Sequence, residues 1–277
     1  IEEFMITANV AAGLELTDLK QPTMYRIHDE PDIEKTRELL STLKEFGYKL
    51  PNSKLLGTAD FNSIISKLSD KKHKNLIQEL ILRCQSRAEY SPENIGHFGL
   101  NLPTYAHFTS PIRRYADLLV HRALITGLNF SKTKKSNENL SEEFAQTFVE
   151  VGKKISANER QAISAERDAN DRYSASYLED HIGETYKGSI RGVSRSGLFI
   201  TIDKSKADGF APITKLPGRG YKFDSIKKCL VNRQKGSSYN LGDSVLLRVI
   251  EASAFKSTVI FEVLNNKSMK SKKKQKK

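Results

Sequence analysis

Two adjacent arginines, Arg113 and Arg114, stand in the run YAHFTSPIRRYADLLVH from Tyr105 to His121. Ser110 has the side chain of an N-cap and Pro111 suits a first helical turn, so the spacing predicts a helix over 111–126 with both arginines at its start. Helix N-termini already carry partial positive charge and unpaired N–H groups. Cations gathered there imply an anion, and an arginine fork beside free N–H groups has the makings of a phosphate site. Two structural alternatives stand beside that reading: Arg113 with Asp117 and Arg114 with Asp117 are also i,i+4 and i,i+3 ion pairs. Ser110, a histidine and Asp117 do not read as a hydrolase triad, since a serine before proline is far more often a cap.

Carboxylates on apolar faces are the next candidates. In a helix predicted over 141–180, Phe144, Phe148, Val151, Ile155, Ala162, Ala169 and Tyr173 form a core stripe, with Glu159 and Glu166 close to it. A carboxylate in such a place is costly unless it meets an arginine, a metal or a substrate hydroxyl. Pairing with Arg160 or Arg167 is the structural alternative. Glu2 and Glu3 open a helix that is apolar nearly all round, so they either complement its dipole or hold a ligand. His28-Asp29-Glu30-Pro31-Asp32 has the residue types of a metal site but reads better as a helix start.

The elements that must position these groups change character along the chain. Residues 1–180 carry helical periodicity: one helix is opened by Pro31 and closed by Gly47, and others are predicted near 59–68 and 73–88. Residues 89–109 form a long connection rich in Gly, Pro and aromatics, of the kind that often carries function. After Gly183 the period becomes two, in TYKGSIRGVS, GLFITI, GFAPI, SVLLRVIEA and STVIFEVL. Short strands of that number and length predict a small closed barrel of the OB type, with an insertion over 217–240. Tyr186, Phe199 and Phe210 lie on those strands with Lys187, Arg191 and Arg195 among them, as a surface that stacks bases and tracks phosphates requires; barrel core is the alternative for each aromatic. The fold class is thus α+β and multidomain: a mainly helical part over 1–181, an all-β barrel over 182–265 and a basic tail over 266–277.

Composition narrows the partners. The 277 residues carry a formal charge of +12, but seven lysines lie between Lys267 and Lys277, and the remainder is at +5. That tail is predicted to be disordered and to bind phosphates without regard to sequence. No apolar run reaches the roughly 18 residues of a membrane helix. The opening IEEFMITANVAA lacks the charged leader and cleavage site of a signal peptide, and the chain reads as a fragment. Cys84 and Cys229 have no ligand-type spacing and suit a reducing, cytoplasmic compartment.

The run ENIGHFGLNLPTYAHFTSPIRRYADLLVHRAL, from Glu93 to Leu124, resembles the signature near the end of the catalytic domain in the ribonuclease II and ribonuclease R family of processive 3′-to-5′ exoribonucleases. IEEFMITANVAA and SAERDANDRY resemble flanking helices of that domain, and the barrel is similar to the family's C-terminal S1 domain. YKFD and the lysine-rich tail favour ribonuclease R over ribonuclease II. The resemblance implies that Arg113 contacts the scissile phosphate, with Arg114 beside it on the RNA. It also implies that Glu166 and one of Glu2 and Glu3 hold the RNA 3′ end, and that Tyr186, Phe199 and Phe210 meet RNA on the barrel. The implied substrate is single-stranded or structured RNA and the implied state a monomer. The family's Mg2+ is held by aspartates that this chain does not contain, so no metal ligand is assigned here and the chain alone is expected not to hydrolyse RNA. Pro212 stands where many S1 domains carry a histidine. A non-catalytic RNA-binding protein from a split or degraded gene is the alternative.

Overall fold

The structure is a computed structural model that describes residues 1–45, 56–67, 71–130, 141–224, 229–232 and 237–264. Gly47, expected to close a helix, and the tail over 266–277 lie outside the described residues. The chain falls into two compact units, one of Ile1–Ser69 with Ile77–Ala162 and one of Asp70–Leu76 with Ile163–Lys277.

The first unit contains α1 (Glu2–Asp18), β1 (Tyr25–Ile27), α2 (Ile33–Glu45), α3 (Thr58–Ser66), most of α4 (Lys71–Cys84), β2 (Glu89–Ser91), α5 (Tyr115–Gly127), α6 (Glu142–Ala145) and the first half of α7 (Phe148–Glu179). The helix after Pro31 begins at Ile33, with Asp32 accepting from Lys35 N–H at 3.0 Å as its cap. This Asp-first start explains the acids in the His28–Asp32 run. His28 spends both ring nitrogens on backbone, Nε2 on Ser86 O and Nδ1 on Gly99 N–H, each at 2.8 Å, so it ties the 89–109 connection down and is no metal ligand. That connection is more ordered than expected: it contributes β2, antiparallel to β1, and a 3₁₀ turn at Phe98–Leu100.

Three apolar clusters hold this unit. Leu39, Leu43, Phe61, Ile64, Ile77 and Ile81 join α2, α3 and α4. Ala12 and Leu16 of α1 meet Val120 and Ala123 of α5. Met24, Tyr90, Ala116, Leu119 and Phe148 form the third, beneath the two-stranded sheet. The predicted stripe of 141–180 holds at Phe144, Phe148, Val151 and Ile155, which pack on the third cluster, and is lost at Ala162, Ala169 and Tyr173. The helix is interrupted at 146–147, every residue from 161 to 170 is exposed, and Tyr173 is 78% exposed.

The second unit is built on a closed five-stranded barrel in the order β10-β5-β4-β3-β9, made of β3 (Thr185–Val193), β4 (Gly197–Ile202), β5 (Asp208–Pro212), β9 (Ser244–Ser253) and β10 (Thr258–Leu264). Alternation does what it predicts: Leu198, Ile200 and Ile202 point inward beside Ile190, Leu247 and Phe261, with Ala175 and Leu178 of α7 in the same core. The insertion over 217–240 forms an unexpected second sheet of β6 (Lys222–Asp224), β7 (Cys229–Asn232) and β8 (Ser237–Tyr239). Both cysteines are buried. No helix among the described residues is long and apolar enough to cross a membrane.

Candidate functional site

The helix that carries the arginine pair begins at Tyr115 and not at Pro111. Residues 111–113 form a turn in which Ser110 O accepts from the N–H groups of Arg113 and Arg114 at 3.3 and 3.1 Å. Ser110 is therefore not the cap, and its own N–H donates instead to Asp117 Oδ1 at 2.7 Å. Asp117, with no exposed surface, also receives Arg114 Nε at 2.8 Å and Arg114 Nη2 at 2.9 Å. A buried carboxylate with three donors in the first turn of α5 satisfies both its charge and the helix dipole. It also pulls the chain before Tyr115 out of helical register, which leaves Ile112 wholly exposed and off the predicted core face.

That arrangement separates the two arginines. Arg114 is the structural member of the pair, bidentate on Asp117, with Nη1 left over. Arg113 is exposed and makes no hydrogen bond or ion pair through its guanidinium among the described residues. Ser110 O takes the N–H groups of Arg113 and Arg114, and α5 begins just beyond them with no side-chain cap bond from its N-cap residue Arg114. What remains is a free arginine fork on a turn locked from both sides, a geometry suited to receiving an anion.

The turn is locked upstream by Asn9, a buried residue of α1. Its Oδ1 accepts from Phe108 N–H at 2.8 Å and Thr109 N–H at 3.2 Å, and its Nδ2 donates to Tyr105 Oη at 2.9 Å. His121 of α5 stacks on Phe108 at 4.4 Å and bonds Phe108 O at 2.9 Å. Sequence reasoning missed Asn9; the signal was an amide within an otherwise apolar helix.

A second support lies beside it. Gly152, Ser156 and Glu159 form one face of α7, docked on the β1–β2 pair. A Cβ at Gly152 would stand 2.6 Å from Tyr90 O, Ser156 Oγ accepts from Tyr90 N–H at 2.9 Å, and Glu159 grips Arg26 at 2.7 and 3.1 Å. Glu159 thus meets the arginine its place demanded, though from β1 rather than from Arg160, which pairs with Glu89. Arg26 also covers the Tyr90 ring at 4.6 Å. Tyr90 Oη lies 2.9 Å from His107 Nδ1. Burial first, then the nearby Arg114 and Arg26 guanidiniums, lower His107 to about 3; burial and His28 lower His97 to about 4.

Histidines held neutral bind fewer protons folded than unfolded, so their contribution to stability is complete above the ordinary histidine pKa near 6.5 and is lost as pH falls toward 4 and 3. The expected result is a Tm that falls on acidification from pH 7 to 4.5, with His107→Gln falling less, by about 3 °C or more, because one proton-linked term is gone. Parallel melting curves for the two proteins would rule this out.

The remaining candidates are placed as follows. Glu2 and Glu3 are exposed in the first turn of α1 and neither pairs with Arg113. Glu166 is exposed on α7, in the second unit. On the barrel, Phe199 and Phe210 are cross-strand partners with ring centroids 5.1 Å apart, and Phe199 is 51% exposed on the outward face. Gly197 makes room for them, since a Cβ there would stand 2.8 Å from Phe210 Cζ. Tyr186 has the inward parity of Ile190, is half-buried against the core, and donates its hydroxyl to Glu184 at 2.8 Å. Desolvation and that carboxylate raise the phenol to about 12. The open aromatic surface is therefore the Phe199–Phe210 pair. Among the described residues no group of three or more His, Cys, Asp or Glu side chains is placed to hold a metal ion.

Known proteins resemble this chain in sequence and in fold. Residues 1–129 match the RNB domain family. Ribonuclease R of Aquifex aeolicus is 38% identical over 264 residues, and that of Escherichia coli 34% over 269; these alignments take in 95% and 96% of this chain. The chain spans 37% and 33% of those relatives' lengths. The solved apo form of Mycoplasma genitalium RNase R superposes with a TM-score of 0.87 at 27% identity, over 95% of this chain and 41% of that one. The same enzyme in complex with ribose-methylated single-stranded RNA superposes with a TM-score of 0.86.

Proposed function

We propose, for a chain that belongs to the ribonuclease II and ribonuclease R family through its RNB domain at residues 1–129, that the complete protein is a 3′-to-5′ exoribonuclease. It removes 5′-mononucleotides processively from single-stranded RNA. The observation that carries this reading is Arg113, a free guanidinium on a turn fixed by Asn9 on one side and Asp117 on the other. A rigid, unpaired fork of donors suits charge that develops on phosphate oxygens during displacement, because it needs no reorganisation at the moment of reaction. Glu166, and one of Glu2 and Glu3, are assigned to the 3′ end of the strand as carboxylate acceptors for ribose hydroxyls. Arg114 holds Asp117 and through it the turn, with Nη1 left for the backbone of the strand.

The barrel, residues 182–265, is the S1-type RNA-binding part. Phe199 and Phe210 supply stacking faces, while Tyr186 lies at the start of β3, six residues from the Gly192 that pairs with Phe199, and is assigned a further RNA contact there. Magnesium is assigned to the complete protein, and the contribution of this chain's own residues is to grip and orient the strand. The lysine-rich tail over 266–277 adds sequence-blind affinity for phosphates. The two buried thiols suit a reducing, cytoplasmic setting.

The test uses the complete protein, magnesium and a single-stranded RNA labelled at its 5′ end. The expected products are mononucleotides together with a label that stays on a shortening strand. RNA bound without loss of length would establish the alternative, an RNA-binding protein without nuclease activity, and endonucleolytic fragments would exclude both.

A further inference from the structure

His107 is held more elaborately than packing requires, and it has no part in the chemistry assigned so far. Its ring stands edge-on to Tyr90 and to Tyr105, each at 5.6 Å. Tyr105 is fixed by Asn9. Tyr90 is fixed by Ser156 at its backbone, by Arg26 on its face and, through Arg26, by Glu159. The imidazole thus sits at the end of a chain of bonds that runs from α7 through β1 and β2 to the loop bearing Arg113.

The tautomer follows from the partners. The Tyr90 hydroxyl has no acceptor among the described residues other than His107 Nδ1, at 2.9 Å, so it donates there and the ring proton resides on Nε2. That Nε2–H has no acceptor among the described residues, although the residue is only partly buried. An oriented donor left open at a partly exposed position awaits an oxygen from elsewhere. Burial first, and then the charges of Arg114, Arg26 and Arg113, oppose a proton on the ring, so the donor stays neutral and leaves the anionic charge to Arg113.

We propose that His107 is a substrate-positioning residue whose Nε2–H donates to a backbone oxygen of the nucleotide adjoining the phosphate that Arg113 holds. This rests on the exoribonuclease reading. The oxygen is either a non-bridging phosphate oxygen or a ribose 2′-hydroxyl, which present the same acceptor to a neutral N–H.

The experiment compares wild type, His107→Phe and His107→Gln in the complete protein on a short single-stranded RNA. Phenylalanine keeps the ring and loses the donor, whereas glutamine carries an N–H to about the reach of Nε2. The expected result is a KM raised about tenfold by His107→Phe with kcat within about threefold, and a KM largely restored by His107→Gln. On a substrate with 2′-deoxy residues at its 3′ end, the wild type and His107→Phe converge if the acceptor is the 2′-hydroxyl and stay apart if it is the phosphate. Should His107→Phe fail to fold, the imidazole nitrogen resonances of the wild type titrated with the same RNA decide the matter. A shift confined to Nε2 supports the contact, and an unmoved resonance on an RNA-saturated protein overturns it. Wild-type activity indifferent to both substitutions sinks the role of His107 alone. A wild type that leaves RNA intact sinks the exoribonuclease reading and this role with it.

Discussion

Arg113→Ala in the complete protein is expected to lower single-turnover cleavage of RNA by roughly 10²–10³-fold, the usual cost of removing one preorganised charge-stabilising donor. Its side chain bonds to nothing among the described residues, so its loss leaves the 111–113 turn intact: Ser110 O still takes the two N–H groups, and Asp117 still takes Ser110 N–H and Arg114. Affinity should change little, because a strand also held by the proposed barrel and tail loses one phosphate contact among many. The diagnostic pattern is therefore a large fall in rate beside a Kd within about threefold of wild type. Arg113→Lys should recover only part of the rate, since an ammonium keeps the charge but not the planar fork. A rate within fivefold of wild type would remove Arg113 from the chemistry.

How far this site was legible depends on the range of the interactions involved. The barrel strands were readable because alternation is local: each of the five predicted runs became a strand, with Leu198, Ile200 and Ile202 inward and Phe199 outward. The start of α5 was misread because the cap signals of Ser110 and Pro111 are also local, whereas the partner that overrides them, Asp117, is itself buried only because Arg114 accompanies it. The prominence of Arg113 survived that error on different grounds. It was expected to share an anion with free helix N–H groups, and it stands out because its turn is fixed by Ser110 O and Asp117 while its own guanidinium makes no bond among the described residues. Asn9, Arg26 and Tyr90 left almost no trace in the sequence, since their partners lie 66 to 133 positions away. The insertion sheet β6–β8 was missed for a reason of length. Its strands are three or four residues long, too short for alternation to register.

The separation of roles between the two arginines makes Asp117 the residue on which the site's geometry depends. Asp117→Asn keeps the size of the side chain and removes its charge. One amide oxygen then replaces two carboxylate oxygens, and the new NH2 faces either Arg114 or Ser110 N–H, donor against donor. Arg114, only 19% exposed, is left without its counter-charge. Removing one partner of a buried pair costs about 3–5 kcal/mol, which for a unit of this size lowers Tm by roughly 10 °C. The decisive comparison is the double variant Arg114→Met with Asp117→Leu. It removes both desolvated charges and leaves Ser110 N–H as the main unpaired group, so it should regain most of the lost stability and cost about 1–2 kcal/mol relative to wild type. Turnover should not return with it. Without the carboxylate to hold Ser110, the turn no longer presents Arg113 at a fixed height above α5, and a guanidinium displaced by about 1 Å forfeits much of its advantage at the scissile phosphate. A double variant as stable as wild type and fully active would show that the turn holds its shape without the ion pair. One as unstable as Asp117→Asn would mean that the Ser110 bond, rather than the arginine, carries the lock.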